Sequence, residues 1–111
     1  KQIPSKLFFN DRNKSVIEVD LHLNQLIKNT RGMQNHEMLN LQLETAKWHL
    51  EAAIKQRIQR IIFIHGVGEG VLKIELEYLF NRYDGIKYYD ANYQKYGQGA
   101  TEVYILQSKT T

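Results

Sequence analysis

The chain has 111 residues, the length of one domain, with 42% hydrophobic and 24% charged residues and a formal net charge of +3. It has no cysteine, which excludes a disulfide framework, a thiolate metal site and a Cys nucleophile, and it fits a reducing, cytoplasmic setting. No apolar run approaches the roughly 18 residues needed to span a bilayer, so no membrane partner is expected. The pI near 9.1 is a mild bias toward polyanions, and acidic and basic residues are well mixed.

The chain begins at Lys1 and is expected to be part of a longer protein, with an N-terminal extension or hairpin arm over residues 1–14 and a domain over 15–111. Two extended runs flank an Asn-Asp-Arg-Asn turn cluster at 10–13, so residues 7–9 can pair with 15–18 as a hairpin. Residues 15–22 (SVIEVDLH) are the stronger strand, β-branched and mostly apolar. Residues 23–32 read either as one or two helical turns or as a loop ended by Gly32. A long helix over about 36–59, with Asn35 as its cap, follows from Leu39, Leu43, Ala46, Leu50, Ala53 and Ile54 at helical spacing.

Residues 60–65 (RIIFIH) form a continuous apolar run, as in a strand covered on both faces. HGVGEG follows, then a second amphipathic helix over 71–83, stopped by Asp84-Gly85. Residues 86–90 and 101–107 are two closing strands joined by the loop ANYQKYGQGA, and the last, reached by a loop and not a helix, is expected to be antiparallel. The order β-α-β-α-β-β predicts a two-layer α/β sandwich with a mixed, mainly parallel sheet and an extra N-terminal strand.

Three segments can carry chemistry. His65, Gly66, Gly68 and Gly70 lie where a strand hands over to a helix, the edge at which open α/β sheets bind ligands. Glycines let backbone N–H groups approach an anion, and the helix N-terminus favours phosphate; a tight turn accounts for the same pattern. Neither a dinucleotide fingerprint nor a Walker loop is complete, so no nucleotide cofactor is expected. Asp20 and His22 alternate on one strand face. Together they suit a general base oriented by a carboxylate, or a metal or phosphate site; the plainer reading has Asp20 capping a backbone N–H. Near the final strand, Lys95, Gln98 and Thr101 can line a phosphate path. All seven tyrosines fall between Tyr78 and Tyr104, with Tyr93 and Tyr96 placed to contact bases; half-buried packing is the alternative for the rest. His36 and His49 read as ordinary helix residues, and Trp48 as core or partner-facing.

In order, Val19-Asp20-Leu21-His22-Leu23, His65-Gly66-Val67-Gly68 with Gly70-Val71-Leu72-Lys73, and Gly97-Gln98-Gly99-Ala100-Thr101-Glu102-Val103 resemble the three motifs of the Smr (small MutS-related) domain. The longer context is similar to Smr modules at the C-terminus of Bacteroidetes proteins. The resemblance implies a β-α-β-α-β-β fold and binding to DNA or RNA, branched or double-stranded. It also implies DNA-nicking or RNA-endonuclease activity, for which Mg²⁺ or Mn²⁺ is the expected cofactor. Asp20 and His22 would be the catalytic pair, with His65, Gly66 and Gly68 facing the phosphate and Lys73 and Gly99 at the rim; the residue pattern alone adds Gly70 and Lys95 as phosphate-binding candidates. Leu23 stands where the first motif ends in glycine, and an expansion at about residues 24–37 follows it. Both bear on activity more than on the fold and leave room for a non-catalytic nucleic-acid or protein interaction module. A free phosphate or nucleotide is the third candidate ligand, on the glycine loop alone.

Overall fold

The computed structural model describes residues 6–9 and 15–107, with the backbone alone at 6–9 and 15. Five strands make one sheet in the order β1 (Lys6–Phe9), β2 (Ser15–Asp20), β3 (Arg60–Ile64), β5 (Ala100–Ile105), β4 (Ile86–Asp90). β1 pairs antiparallel with β2, Leu7 opposite Ile17, as the hairpin reading requires; its expected turn at 10–13 lies outside the described residues. β2 pairs parallel with β3, Asp20 opposite Ile64. β5 runs antiparallel to both β3 and β4.

Thus β2, β3 and β4 point one way, but the chain inserts β5 between β3 and β4, and β2–β3 is the only parallel ladder of the four among the described residues. The reason lies in the last connection. Residues 91–99 are fewer than the roughly dozen needed for a crossover, so β5 can only fold back alongside β4.

Alternation in the strands decides the layering. Val19, Ile61, Phe63, Val103 and Ile105 share one face, where they form the main core with α2 (Asn35–Lys55) and α3 (Val71–Phe80). Ala46, Leu50 and Ala53 come from α2, and Leu76, Leu79 and Phe80 from α3, so both helices lie on the same side of the sheet. Phe63 stacks on Phe80 at 5.5 Å between ring centroids, and truncating either ring to Ala should cost about 3–5 kcal/mol. The opposite face is covered more lightly, by a cluster of Val16, Ile62, Ala91 and Ala100 with Ile64 and Tyr96. Ile62 is therefore buried as well as Ile61 and Phe63, which is why β3 reads as one apolar run.

Two short helices complete the chain: α1 (Leu23–Leu26), which settles the ambiguity after β2, and α4 (Tyr93–Tyr96), which the sequence reading took as loop. The cap of α4 is Asn92, whose side-chain oxygen accepts from the Lys95 N–H at 3.0 Å. For α2 the cap is Gln34 and not Asn35, because Gln34 and Glu37 bond each other's backbone N–H groups in a capping box. The helix stops at Lys55, where Arg57 turns left-handed; its N–H bonds Ile54 O and the N–H of Ile58 bonds Ala53 O, the double closure of a Schellman end.

Candidate functional site

The tips of β2 and β3 lie side by side. The Leu21 N–H donates to Ile64 O at 2.8 Å, so the parallel ladder runs one residue past the end of β2 and meets the last residue of β3. Just beyond this bond, Asp20 Oδ1 accepts from the backbone N–H of His22 at 2.9 Å and from its ring Nδ1 at 2.7 Å. Both readings of this pair are therefore realised: the carboxylate caps a backbone N–H and also orients an imidazole. The two side chains are 40% and 50% exposed. A carboxylate only accepts, so Nδ1 carries a proton, and Nε2 is the acceptor in the neutral tautomer.

That Nε2 sits over Gly66. A Cβ placed on Gly66 would lie 2.8 Å from it, closer than a real Cβ contact allows, and Gly66 also has φ +77°. Beneath, a Cβ on Gly99 would lie 3.2 Å from the Gly66 Cα, and the carbonyl of Gly99 accepts from the N–H groups of His65 and Gly66, each at 2.9 Å. Gly66 is thus held between the His22 ring and the Gly99 backbone; a side chain on Gly66 would have to displace the His22 ring, and one on Gly99 would press on the Gly66 backbone. The three segments singled out in the sequence meet at this one residue.

His65 has a different place. It is buried, with Nδ1 bonded to the Gly66 carbonyl at 2.7 Å and Nε2 to the Thr101 hydroxyl at 2.9 Å. Nδ1–H donates to the carbonyl, so Nε2 accepts from Thr101. Burial pushes its pKa down; the Gly66 hydrogen bond opposes this, and nearby Lys73 reinforces it. Thr101 is itself only 1% exposed, so it holds His65 and does not line an open phosphate path.

Lys73 Nζ pairs with Asp90 Oδ1 at 3.0 Å. Lys95 stands away from this junction, its Nζ 5.4 Å from the centroid of the Tyr96 ring. Tyr96 donates its hydroxyl to Glu18, and burial, reinforced by this bond, raises its pKa, whereas Tyr93 is largely exposed. Trp48 is half exposed and packs edge-on against buried His49 at 4.8 Å.

Alongside the junction lies a cleft of about 460 Å³, between the first turns of α2 and the loop that leads into α3. Leu23, Gly66, Gly68, Gly70 and Lys73 line it, so it begins where the catalytic candidates end. His36 lines it too, a residue the sequence reading left without a role. Gln42, from the next turn of α2, lines the wall and donates to Leu21 O at 2.9 Å, tying the helix to the tip of β2. Nothing local in the sequence links Gln42 to β2 or Asp90 to Lys73; only the tertiary fold does. Among the described residues, no group of three or more His, Asp or Glu side chains converges as a metal cage would require. The donors at the junction are Asp20 and His22, a set that fits an ion arriving with its own phosphate ligands better than a resident one.

A mixed α/β sheet that gathers a carboxylate–histidine pair, a glycine turn and a second glycine segment at one strand edge defines a class of domain. The Smr domain family model matches residues 29–106, and the chain belongs to that family. The match begins after the first motif, so the assignment of Asp20 and His22 rests on motif resemblance and on the geometry above. The fold is similar to that of the Smr domain of MutS2 from Thermus thermophilus, at 24% sequence identity and a TM-score of 0.61, over 81% of this chain and 98% of that one. No curated protein matches the chain.

Proposed function

We propose that this domain binds DNA or RNA, branched or double-stranded, and cleaves a phosphodiester at the strand-tip junction. The observation that carries the reading is Asp20 holding His22 by Nδ1, with Nε2 directed to the glycine turn. A phosphate lying on residues 66–70 would meet the N-terminal end of α3, whose first N–H groups have no carbonyl one turn back to bond. Nε2 is then placed to take a proton from the attacking group, either water or an RNA 2′-hydroxyl, while the P–O bond to the leaving oxygen breaks and that oxygen takes a proton from solvent. Asp20 keeps the tautomer and stabilises the imidazolium that forms. Mg²⁺ or Mn²⁺ bound with the phosphate would neutralise charge on the group being cleaved, and Asp20 is the carboxylate at hand to hold it.

Incubation of supercoiled plasmid and structured RNA with the domain, with and without Mg²⁺ or Mn²⁺, tests this. Nicking or cleavage that disappears in Asp20→Ala/His22→Ala is the expected result; cleavage that survives the double substitution removes the catalytic role. A second reading keeps the binding and drops the turnover. Leu23 favours it, because its side chain occupies the cleft wall where the family motif has glycine. Salt-dependent binding with no cleavage of any substrate would select that reading.

A further inference from the structure

We infer that the cleft beside the junction receives an unpaired or everted nucleobase, so that the domain selects strands with a base free of its duplex. The inference rests on the nucleic-acid reading above and adds what part of the strand is recognised. About 460 Å³ is more than a phosphate fills and is within the range of sites that enclose a flat organic group. The walls are mainly apolar, with Leu23 from α1, Met38 and Leu39 from α2, and Val71 and Leu72 from α3. An ion site would be lined by donors and charges, whereas a base stacks its faces on apolar surface and turns its edges to a few polar groups.

Those polar groups are present at the cleft: Asn35 and His36 at the start of α2, and Glu69 and Lys73 on the α3 side. Glu69 and Lys73 balance each other in charge, so the attraction for a nucleotide comes from the helix ends. Two helices, α2 and α3, begin at this cleft, and their positive ends favour an anionic linkage next to an apolar body. Leu23 and Gly66 belong both to the cleft and to the neighbourhood of His22, so a base in the cleft puts its own phosphodiester near Nε2. In this arrangement Leu23 is no longer an obstruction to a phosphate but a contact for the base. Eversion is least costly where pairing is already lost, as at a branch, a bulge or a loop, which connects the cleft to branched substrates.

Fluorescence anisotropy with the 111-residue chain and three labelled probes decides it: a duplex with one bulged nucleotide, the same duplex with an abasic residue at the bulge, and the fully paired duplex. The base-bearing bulge should bind about tenfold tighter than the abasic one, as expected when one base is stacked on protein. Val71→Trp, at a half-exposed position on the cleft wall, should bring that ratio close to one with the melting temperature retained. Equal affinity for the base-bearing and abasic bulges in the unsubstituted protein overturns the inference and leaves the phosphate-binding reading standing. Failure of all three probes to bind at low salt overturns both. Binding of AMP without binding of any probe assigns the cleft to a free nucleotide and likewise overturns the inference.

Discussion

His22 and His65 follow neighbouring parallel strands of one sheet, yet the first ring is half exposed and the second is buried. Strand parity separates them. His65 continues the series Ile61, Phe63 and so falls on the face that the helices cover, where both ring nitrogens must find partners and do so in Gly66 and Thr101. His22 lies past the end of β2 as the N-cap residue of α1, where Asp20 bonds its Nδ1 and half of the side chain is open to solvent. Two histidines that look alike in the sequence thus end in different surroundings: one ring is at the surface, and the other is bonded within the fold to Gly66 and Thr101.

The largest effects should come from exchanging those fates. His22→Ala should lower any cleavage rate by about 10²–10⁴-fold, the usual contribution of a general base, with little change in melting temperature. His65→Ala should instead destabilise the fold by about 1–3 kcal/mol, because Thr101 is left buried without its partner. His65→Leu combined with Thr101→Val, which removes both polar groups, should recover most of that loss. Equal stability losses for the His22 and His65 single variants would erase the distinction between the two rings.

Gly66→Ala comes next. The left-handed backbone there costs an L-residue roughly 1–2 kcal/mol, and the new methyl group must also displace the His22 ring. The variant should therefore lose activity out of proportion to its stability. A melting temperature lowered with the cleavage rate intact would show that the close approach of ring and turn has no bearing on the chemistry.

Much of this was legible in the sequence, and the reasons differ from part to part. Periodicity found α2 and α3, because their buried positions fall at helical spacing and local propensity agrees with the tertiary fold. The run from Ile61 to Phe63 gave β3, because burial on both faces leaves no alternation to misread. The site was legible only as a set of strand tips. Asp20, His22 and Gly66 could be brought together from topology, since parallel neighbours place their ends at the same edge. The burial of His65 follows from which face the helices cover; the short connection at 91–99 makes β5 antiparallel to β4 but does not tell that β5 also pairs with β3. The cleft was invisible for another reason. Its walls come from the start of α2 and the start of α3, and no short-range pattern tells that two helix ends will converge.

The pH dependence of stability sharpens the comparison from the buried side. Burial holds both His65 and His49 below the ordinary imidazole value of 6.5. In the window below 6.5 the unfolded chain therefore binds protons that the folded chain refuses. Their contribution is complete above pH 6.5 and is lost as the pH falls from there toward the folded-state values, so stability rises with pH across this window. Each histidine can supply a slope of at most about 1.4 kcal/mol per pH unit. Urea denaturation between pH 5 and 8 should show this slope in the unsubstituted protein and a shallower one in His65→Leu/Thr101→Val. An unchanged slope in that variant would mean that the Thr101-bonded ring titrates in the fold much as it does in the unfolded chain.

The smallest effect concerns the rim. Lys73 is the cation nearest the cleft in the second motif, and Asp90, at the end of β4, holds it at 3.0 Å while itself remaining 76% exposed. A pair this open contributes little to stability, so Asp90→Ala should change the unfolding free energy by less than about 1 kcal/mol. Its consequence for binding is opposite in sign to most surface substitutions. With its partner gone, Lys73 no longer has to exchange a carboxylate for a phosphate, and affinity for a duplex at low salt should rise by about two- to threefold. Lys73→Ala should lower the affinity and reduce the slope of log K against log salt by about one. A salt slope that is the same in Lys73→Ala and the unsubstituted protein would place the strand's phosphates away from the second motif. The backbone path would then have to be sought across the opposite face of the sheet, where Arg60 and Lys87 lie beside Tyr104 and exposed Tyr89.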